Sequence, residues 1–218
     1  MVSSLTKITR NDTMKVLLPF ALAATLGALA APAAHADDNN PWVVRVGGAV
    51  VAPKDHNGTL AGARADVSSS GRPTLDLEYM FTPNWGVDVL AATPFLHDVS
   101  LAGLGTVART KQLPPTFGVN YHFMPNAAWS PFLGLGVNYT NFFGTHATGA
   151  LYGNSVSIAN SWGVAARAGF DLRIDQRWLV TVDVRWANIS GDVKVNNTGV
   201  GTAKIDPVVF GASVGYRF

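Results

Sequence analysis

His97, Asp98 and Ser100 fall within four consecutive positions and are the one grouping in the sequence whose types could carry hydrolytic chemistry. Such chemistry needs a nucleophile, a base and a group that orients the base, all converging on one point. Neighbours at i, i+1 and i+3 of a connecting segment do not converge, so an enzyme is not expected. His56, His97 and His146 stand on connections without His-x-His or His-x-x-x-His spacing, and no metal or other cofactor is expected. The sequence has no cysteine, which excludes disulfides, thiolate zinc sites, cysteine nucleophiles and a lipid-modified N-terminal cysteine. With 14% charged residues and a formal net charge of +2, it also lacks the basic footprint of a nucleic-acid binder.

The charged residues are more informative by parity than by type. Asp76 with Glu78, Arg167 with Asp171, and Asp183 with Arg185 each share one face of a two-residue alternation. Eight stretches alternate in this way: Trp42 to Val50, Thr74 to Phe81, Trp85 to Ala92, Pro115 to Phe123, Leu133 to Thr140, Trp162 to Asp171, Trp178 to Trp186, and Val208 to Phe218. One face of each carries Trp, Tyr, Phe, Leu and Val. The other carries Gly, Ser, Thr and Asn together with Arg45, Asp76, Glu78, Asp88, Arg167, Asp171, Asp183, Arg185 and Arg217. No charge falls on the apolar register.

Alternation alone fits a soluble sandwich as well as a membrane barrel. Size separates them. The interior of an eight-stranded barrel has room for small side chains, not for a ring or branched aliphatic at nearly every position. Turned outward, the same residues form a lipid-facing band, where one Arg or Lys at the midplane would cost about 2–4 kcal/mol. About 9–11 tilted residues span a bilayer as a strand, which these segments match. The expectation is an all-β, eight-stranded antiparallel transmembrane β-barrel in the bacterial outer membrane, in contact with outer-membrane lipids.

Connections sort the two ends. Short turns lie around Pro83, Pro125 to Ser130 and Ile174 to Gln176. The other four connections, Ala52 to Pro73, Pro94 to Pro114, Thr145 to Ala159 and Asn188 to Pro207, are long and read as loops. That asymmetry places the turns and both termini at the periplasmic side. Trp42, Trp85 and Trp178, with Tyr79, Phe81, Tyr121, Phe123, Phe170, Tyr216 and Phe218, then gather at one interface. The ending in Phe218 looks like the C-terminal signal that outer-membrane assembly machinery reads. At the other terminus, Lys15, the apolar run from Val16 to Ala31 and Ala34-His35-Ala36 predict a signal peptide over residues 1–36, with translation starting at Met1 or Met14. The barrel is expected over residues 37–218.

Leu90-Ala91-Ala92-Thr93-Pro94-Phe95 with His97, Leu113-Pro114-Pro115-Thr116, Val137-Asn138-Tyr139-Thr140-Asn141-Phe142-Phe143, Asn160-Ser161-Trp162-Gly163, Asp206-Pro207 and Gly215-Tyr216-Arg217-Phe218 together resemble the OmpW family of outer-membrane proteins. The resemblance runs from about Trp42 to Phe218. It implies a narrow, partly apolar tunnel and a role in passing small hydrophobic molecules, with Leu90 on one side of a constriction and an inward aromatic opposite. This sequence has Arg185 at the aromatic's position, so an ion pair between Arg185 and Asp183 or Asp88 is expected to close the lumen instead. Met80, Leu90, Leu179 and Val209 share the lumen register and suit an apolar ligand. His122 faces the lumen as an interior polar group. Two functional readings stay open: a passive conduit for small hydrophobic solutes, and a structural, adhesive or receptor barrel acting through its long loops.

Overall fold

The computed structural model describes residues 41–218, so the expected signal segment lies outside the described residues. Fifteen strands follow one another: β1 (Trp42–Ala52), β2 (Thr59–Leu60), β3 (Ala63–Val67), β4 (Ser70–Met80), β5 (Trp85–Ala92), β6 (Phe95–Leu101), β7 (Gly105–Leu113) and β8 (Thr116–His122). After these come β9 (Trp129–Ala147), β10 (Val156–Ile158), β11 (Ser161–Arg173), β12 (Trp178–Ala187), β13 (Ser190–Val195), β14 (Thr198–Lys204) and β15 (Val208–Arg217).

Eight of them close a barrel. Each pairs antiparallel with the next in the cycle β1, β4, β5, β8, β9, β11, β12, β15, and β15 returns to β1 with Val43 opposite Arg217 and Ala52 opposite Val208. Closure leaves no unpaired edge within the barrel, as a strand structure inside hydrocarbon requires.

The two faces are reversed relative to a water-soluble sheet. Leu135, Trp162 and Val164 are 74%, 68% and 61% exposed, whereas Arg45, Asp76, Glu78 and Thr181 are buried inside. Only a nonpolar solvent around the outside makes that arrangement stable. Both rims of the apolar band carry aromatic pairs set by register. Trp42 packs on Tyr79, Trp85 on Tyr121 and Trp178 on Tyr216 at one end, with centroids 4.8, 4.9 and 4.9 Å apart. Tyr139 and Trp162 pair at the other, 4.6 Å apart. Indole and phenol rings favour such interfacial levels because one edge is apolar and the other can reach water.

The short turns are held by side-chain caps. Thr82 Oγ1 accepts the Trp85 N–H at 2.9 Å, and Asp175 Oδ1 accepts those of Arg177 and Trp178 at 2.8 and 2.7 Å. These two backbone donors hold the Asp175 carboxyl below the usual carboxylate range.

At the opposite end the structure corrects the sequence reading. The four long connections are not loops: they contain β2, β3, β6, β7, β10, β13 and β14, and β9 runs through the barrel wall into the same assembly. A second sheet, ordered β10-β13-β14-β2-β3-β6-β7-β9, therefore stands on the barrel as an extension. Its polarity is that of a soluble protein. Leu60, Val99, Leu101, Val107 and Val193 point inward as a core, while Arg64, Asp98 and Arg109 stay at the surface in ion pairs. The β13–β14 hairpin turns at Asn196 and Asn197, both with positive φ (48° and 64°), the backbone that a tight two-residue hairpin turn demands and that Asn tolerates. His97, expected on a loop, is a buried inward-facing residue of β6.

Candidate functional site: an ionic floor beneath two cavities

Inside the barrel, toward the turn end, the enclosed charges form one connected layer. Arg45 on β1 reaches Glu78 Oε2 on β4 (2.6 Å) and Asp171 Oδ2 on β11 (3.1 Å), and its Nε donates to Thr181 Oγ1 on β12 (3.0 Å). Thr181 in turn donates to Asp171 Oδ1 at 2.6 Å. From β8, Asn120 donates to Glu78 Oε1 (2.7 Å), and His122 Nε2 lies 3.1 Å from the same oxygen. One step further up, Arg167 Nη1 bridges Asp76 on β4 (2.8 Å) and Asp88 on β5 (2.9 Å), with its guanidinium 4.9 Å above the Phe132 ring. Arg185 closes on Asp183 through two contacts, 2.6 and 2.9 Å.

Removing charge from water is costly unless each ion gains partners of opposite sign. Here the arginines link carboxylates across the lumen, so the layer ties opposite walls together. Glycines make the room. An added Cβ at Gly118 would come 2.3 Å from Asp88 Oδ1, one at Gly134 would come 2.1 Å from Asn120 Oδ1, and one at Gly211 would come 2.9 Å from Asp183 Oδ1. The sequence shows these glycines on the charged register, but which polar side chain each one accommodates depends on strand pairing.

Above the layer lies a mid-barrel cavity of about 70 Å³, lined by Asp88, Leu90, Arg185 and Val209 among others. A larger cavity of about 260 Å³ fills the interior of the extension, with an almost wholly apolar lining. The two share Gln112 as a wall residue. Phe142, Ile189 and Ile205 pack together at this waist.

The expected lumen residues divide accordingly. Asp88, Leu90, Arg185 and Val209 meet at the mid-barrel cavity, and Asp183 is in the ionic layer with Arg185. Asp88 pairs with Arg167 and not with Arg185. Met80 and Leu179 lie nearer the turns, Met80 against Gly86 beside Glu78 and Leu179 against Gly215, apart from either cavity. Sequence reasoning passed over Gln112 and the inward face of β6, where Phe95, His97, Val99 and Leu101 alternate with exposed or half-exposed neighbours. That period of two was legible, but lay inside a segment read as a loop. His97, Asp98 and Ser100 do not converge: His97 faces inward to Ser68 O, Asp98 pairs with Arg109, and Ser100 contacts Thr106. Among the described residues no three His, Asp or Glu side chains are placed to hold a metal ion.

The sequence model of the OmpW family matches residues 39–218. The chain belongs to the OmpW family. Outer membrane protein W of Vibrio cholerae is 37% identical over 209 residues, spanning 89% of this chain and 96% of its own length. The crystal structure of the outer membrane protein OprG from Pseudomonas aeruginosa matches with a TM-score of 0.72 at 36% identity, covering 82% of this chain and 96% of that one. Outer membrane protein AlkL, solved by solid-state NMR in DMPC lipid bilayers, matches with a TM-score of 0.63 at 25% identity, covering 87% and 95%. This OmpW-family barrel is an outer-membrane protein, its apolar band set against lipid. In such barrels the short turns face the periplasm, which places the extension outside the cell.

Proposed function

We propose that the barrel is a passive conduit that takes small hydrophobic molecules from the outside of the cell into the outer membrane, without chemistry on them. The observation that carries this reading is the apolar cavity of about 260 Å³ in the extension, a part of the molecule surrounded by water. A water-soluble sheet assembly gains stability by closing such space with side chains, because every void forfeits packing contacts. Open apolar volume in the outermost tier has the character of a ligand site.

The route continues through the waist at Gln112 to the cavity bounded by Leu90 and Val209. Below it, the layer of Arg45, Arg167 and their carboxylates offers an apolar solute nothing but desolvation cost. Leu135 and Trp186, both on the lipid-facing register, also border the mid-barrel cavity. Release sideways into the bilayer at that height therefore avoids the ionic floor altogether. The sequence-expected tunnel residues Asp88, Leu90, Arg185 and Val209 act in this reading as the lower boundary of the path, with the Arg185–Asp183 pair closing it. At the C-terminus, the Phe218 N–H bonds to Trp42 O (3.0 Å) while its ring stays partly exposed beside Tyr216, which suits recognition by outer-membrane assembly machinery.

The test is uptake of N-phenyl-1-naphthylamine by vesicles whose outer leaflet carries lipopolysaccharide. The purified barrel should accelerate the appearance of probe fluorescence in the bilayer over protein-free vesicles. Equal rates would remove the conduit and leave action through the outer surface of the extension.

A further inference from the structure

The exposure of its walls locates the mouth of the extension cavity. Among the described residues that line it, Gln112, Phe142 and Ile205 at the waist are buried, and only Ala61 and Leu104 are exposed. Both stand in turns at the end of the extension remote from the barrel, Ala61 between β2 and β3 and Leu104 between β6 and β7. Half-buried Leu151, Val195 and Val200 complete that rim. The chamber is thus walled by packed side chains toward the barrel and only thinly at its outer end. A leucine at a protein surface is ordinary. Leu104 differs because it is 52% exposed to water and still forms part of the chamber wall.

The backbone of the rim is pinned. Leu104 N–H donates to Leu101 O (3.0 Å), Ala102 N–H to Arg64 O (2.9 Å), and Ala61 N–H to Val200 O on β14 (2.8 Å). The part free to move is therefore the Leu104 side chain. Gly103 and Gly105 flank it with positive φ (80° and 67°), and a Cβ added at either would meet nothing within 4 Å. Glycine makes such a turn without a side chain, so neither flanking residue holds Leu104 in one rotamer. Exposed side chains exchange rotamers within picoseconds to nanoseconds.

We propose that solutes enter the extension cavity between the β2–β3 and β6–β7 turns, and that Leu104 is the gate and specificity-determining residue of this entrance. Turned in, its isobutyl group completes the apolar wall; turned out, it opens the chamber to the water outside. Turning out exposes apolar surface, which an apolar solute passing over Leu104 covers again and a charged solute does not. The gate therefore favours apolar molecules and limits their width. The inference rests on the conduit reading, since it names the residue that decides which solutes reach the conduit's first chamber.

The protein has no cysteine, so a thiol introduced at the rim reacts alone. In the lipopolysaccharide vesicles described above, Leu104→Cys is labelled with benzyl methanethiosulfonate, which adds a benzyl group through a disulfide that dithiothreitol removes. Uptake of N-phenyl-1-naphthylamine should fall toward the protein-free rate on labelling and recover on reduction. Tyr152→Cys, at a residue 84% exposed that does not line the cavity, should take the label with no change in uptake. Leu104→Ala tests selection: uptake of pyrene, a wider probe, should rise relative to that of N-phenyl-1-naphthylamine. Full uptake by labelled Leu104→Cys protein would overturn the entrance while the conduit stands, and would direct attention to the seam between β9 and β10, the two ends of the second sheet. An unchanged pyrene ratio in Leu104→Ala would refute the gate. Uptake at the protein-free rate by the unaltered barrel would end the conduit reading and this inference with it.

Discussion

Gly118 faces Asp88 across the β5–β8 ladder so closely that a methyl group at position 118 would lie 2.3 Å from the Asp88 carboxylate, and Asp88 is the residue that holds one side of Arg167. A backbone position and an ion pair are thus coupled in the barrel wall. Gly118→Ala should push Asp88 off Arg167 and destabilise the barrel by about 1–3 kcal/mol. Gly199→Ala, at a position with nothing within 4 Å, should change stability little. Urea unfolding in detergent micelles checks both; equal costs would refute the coupling.

Arg45 is the residue most heavily committed to the floor. Arg45→Leu leaves Glu78 and Asp171 without their cation and should cost about 3–5 kcal/mol. Adding Glu78→Gln should recover part of that loss, because one of the stranded charges is then gone. A double-variant cycle in the same unfolding assay reads the difference, and strictly additive losses would contradict the pairing.

Among the described residues Arg185 makes a direct ion pair with Asp183 alone, and Asp183 also keeps a 3.5 Å contact with Arg167. Arg185→Ala should therefore cost only about 1–2 kcal/mol, and should speed apolar probe uptake by enlarging the mid-barrel cavity. Unchanged stability together with unchanged uptake would show that Arg185 neither braces nor closes the lumen.

The extension should respond to acid through His97. Burial lowers its pKa from the ordinary 6.5, so the uncharged ring's contribution to stability is complete above pH 6.5 and is lost as pH falls through the lowered value of the folded state. Backbone amides of β6 and β7 should lose hydrogen-exchange protection between pH 7.5 and pH 5, while barrel strands such as β11 keep theirs. His97→Gln should flatten this dependence; the same slope in the variant would assign it elsewhere.

The barrel was legible in the sequence because a bilayer imposes the simplest pattern there is. Val182 outside and Asp183 inside set the pattern, no charge falls on the outward register of any barrel strand, and the i, i+2 spacing of Asp183 and Arg185 even discloses their contact. The extension was not legible in the same way. Residues 52–73 are rich in Gly, Ser and Ala, which blurs alternation, and β2 is only two residues long. Asn196-Asn197 marks a hairpin turn, yet a turn does not reveal that four separate connections join into one sheet. Arg45 and Asp171 are 126 positions apart, so their meeting depends on barrel closure and not on any local signal.

The conduit itself is tested most directly by filling the outer chamber while leaving the barrel intact. Ala108 and Ala203 are buried residues of its wall, on β7 and β14. With Ala108→Phe and Ala203→Phe combined, and heat-dependent gel migration confirming a folded barrel, N-phenyl-1-naphthylamine uptake should fall to the protein-free rate. Uptake at the full rate through a filled chamber would contradict the account.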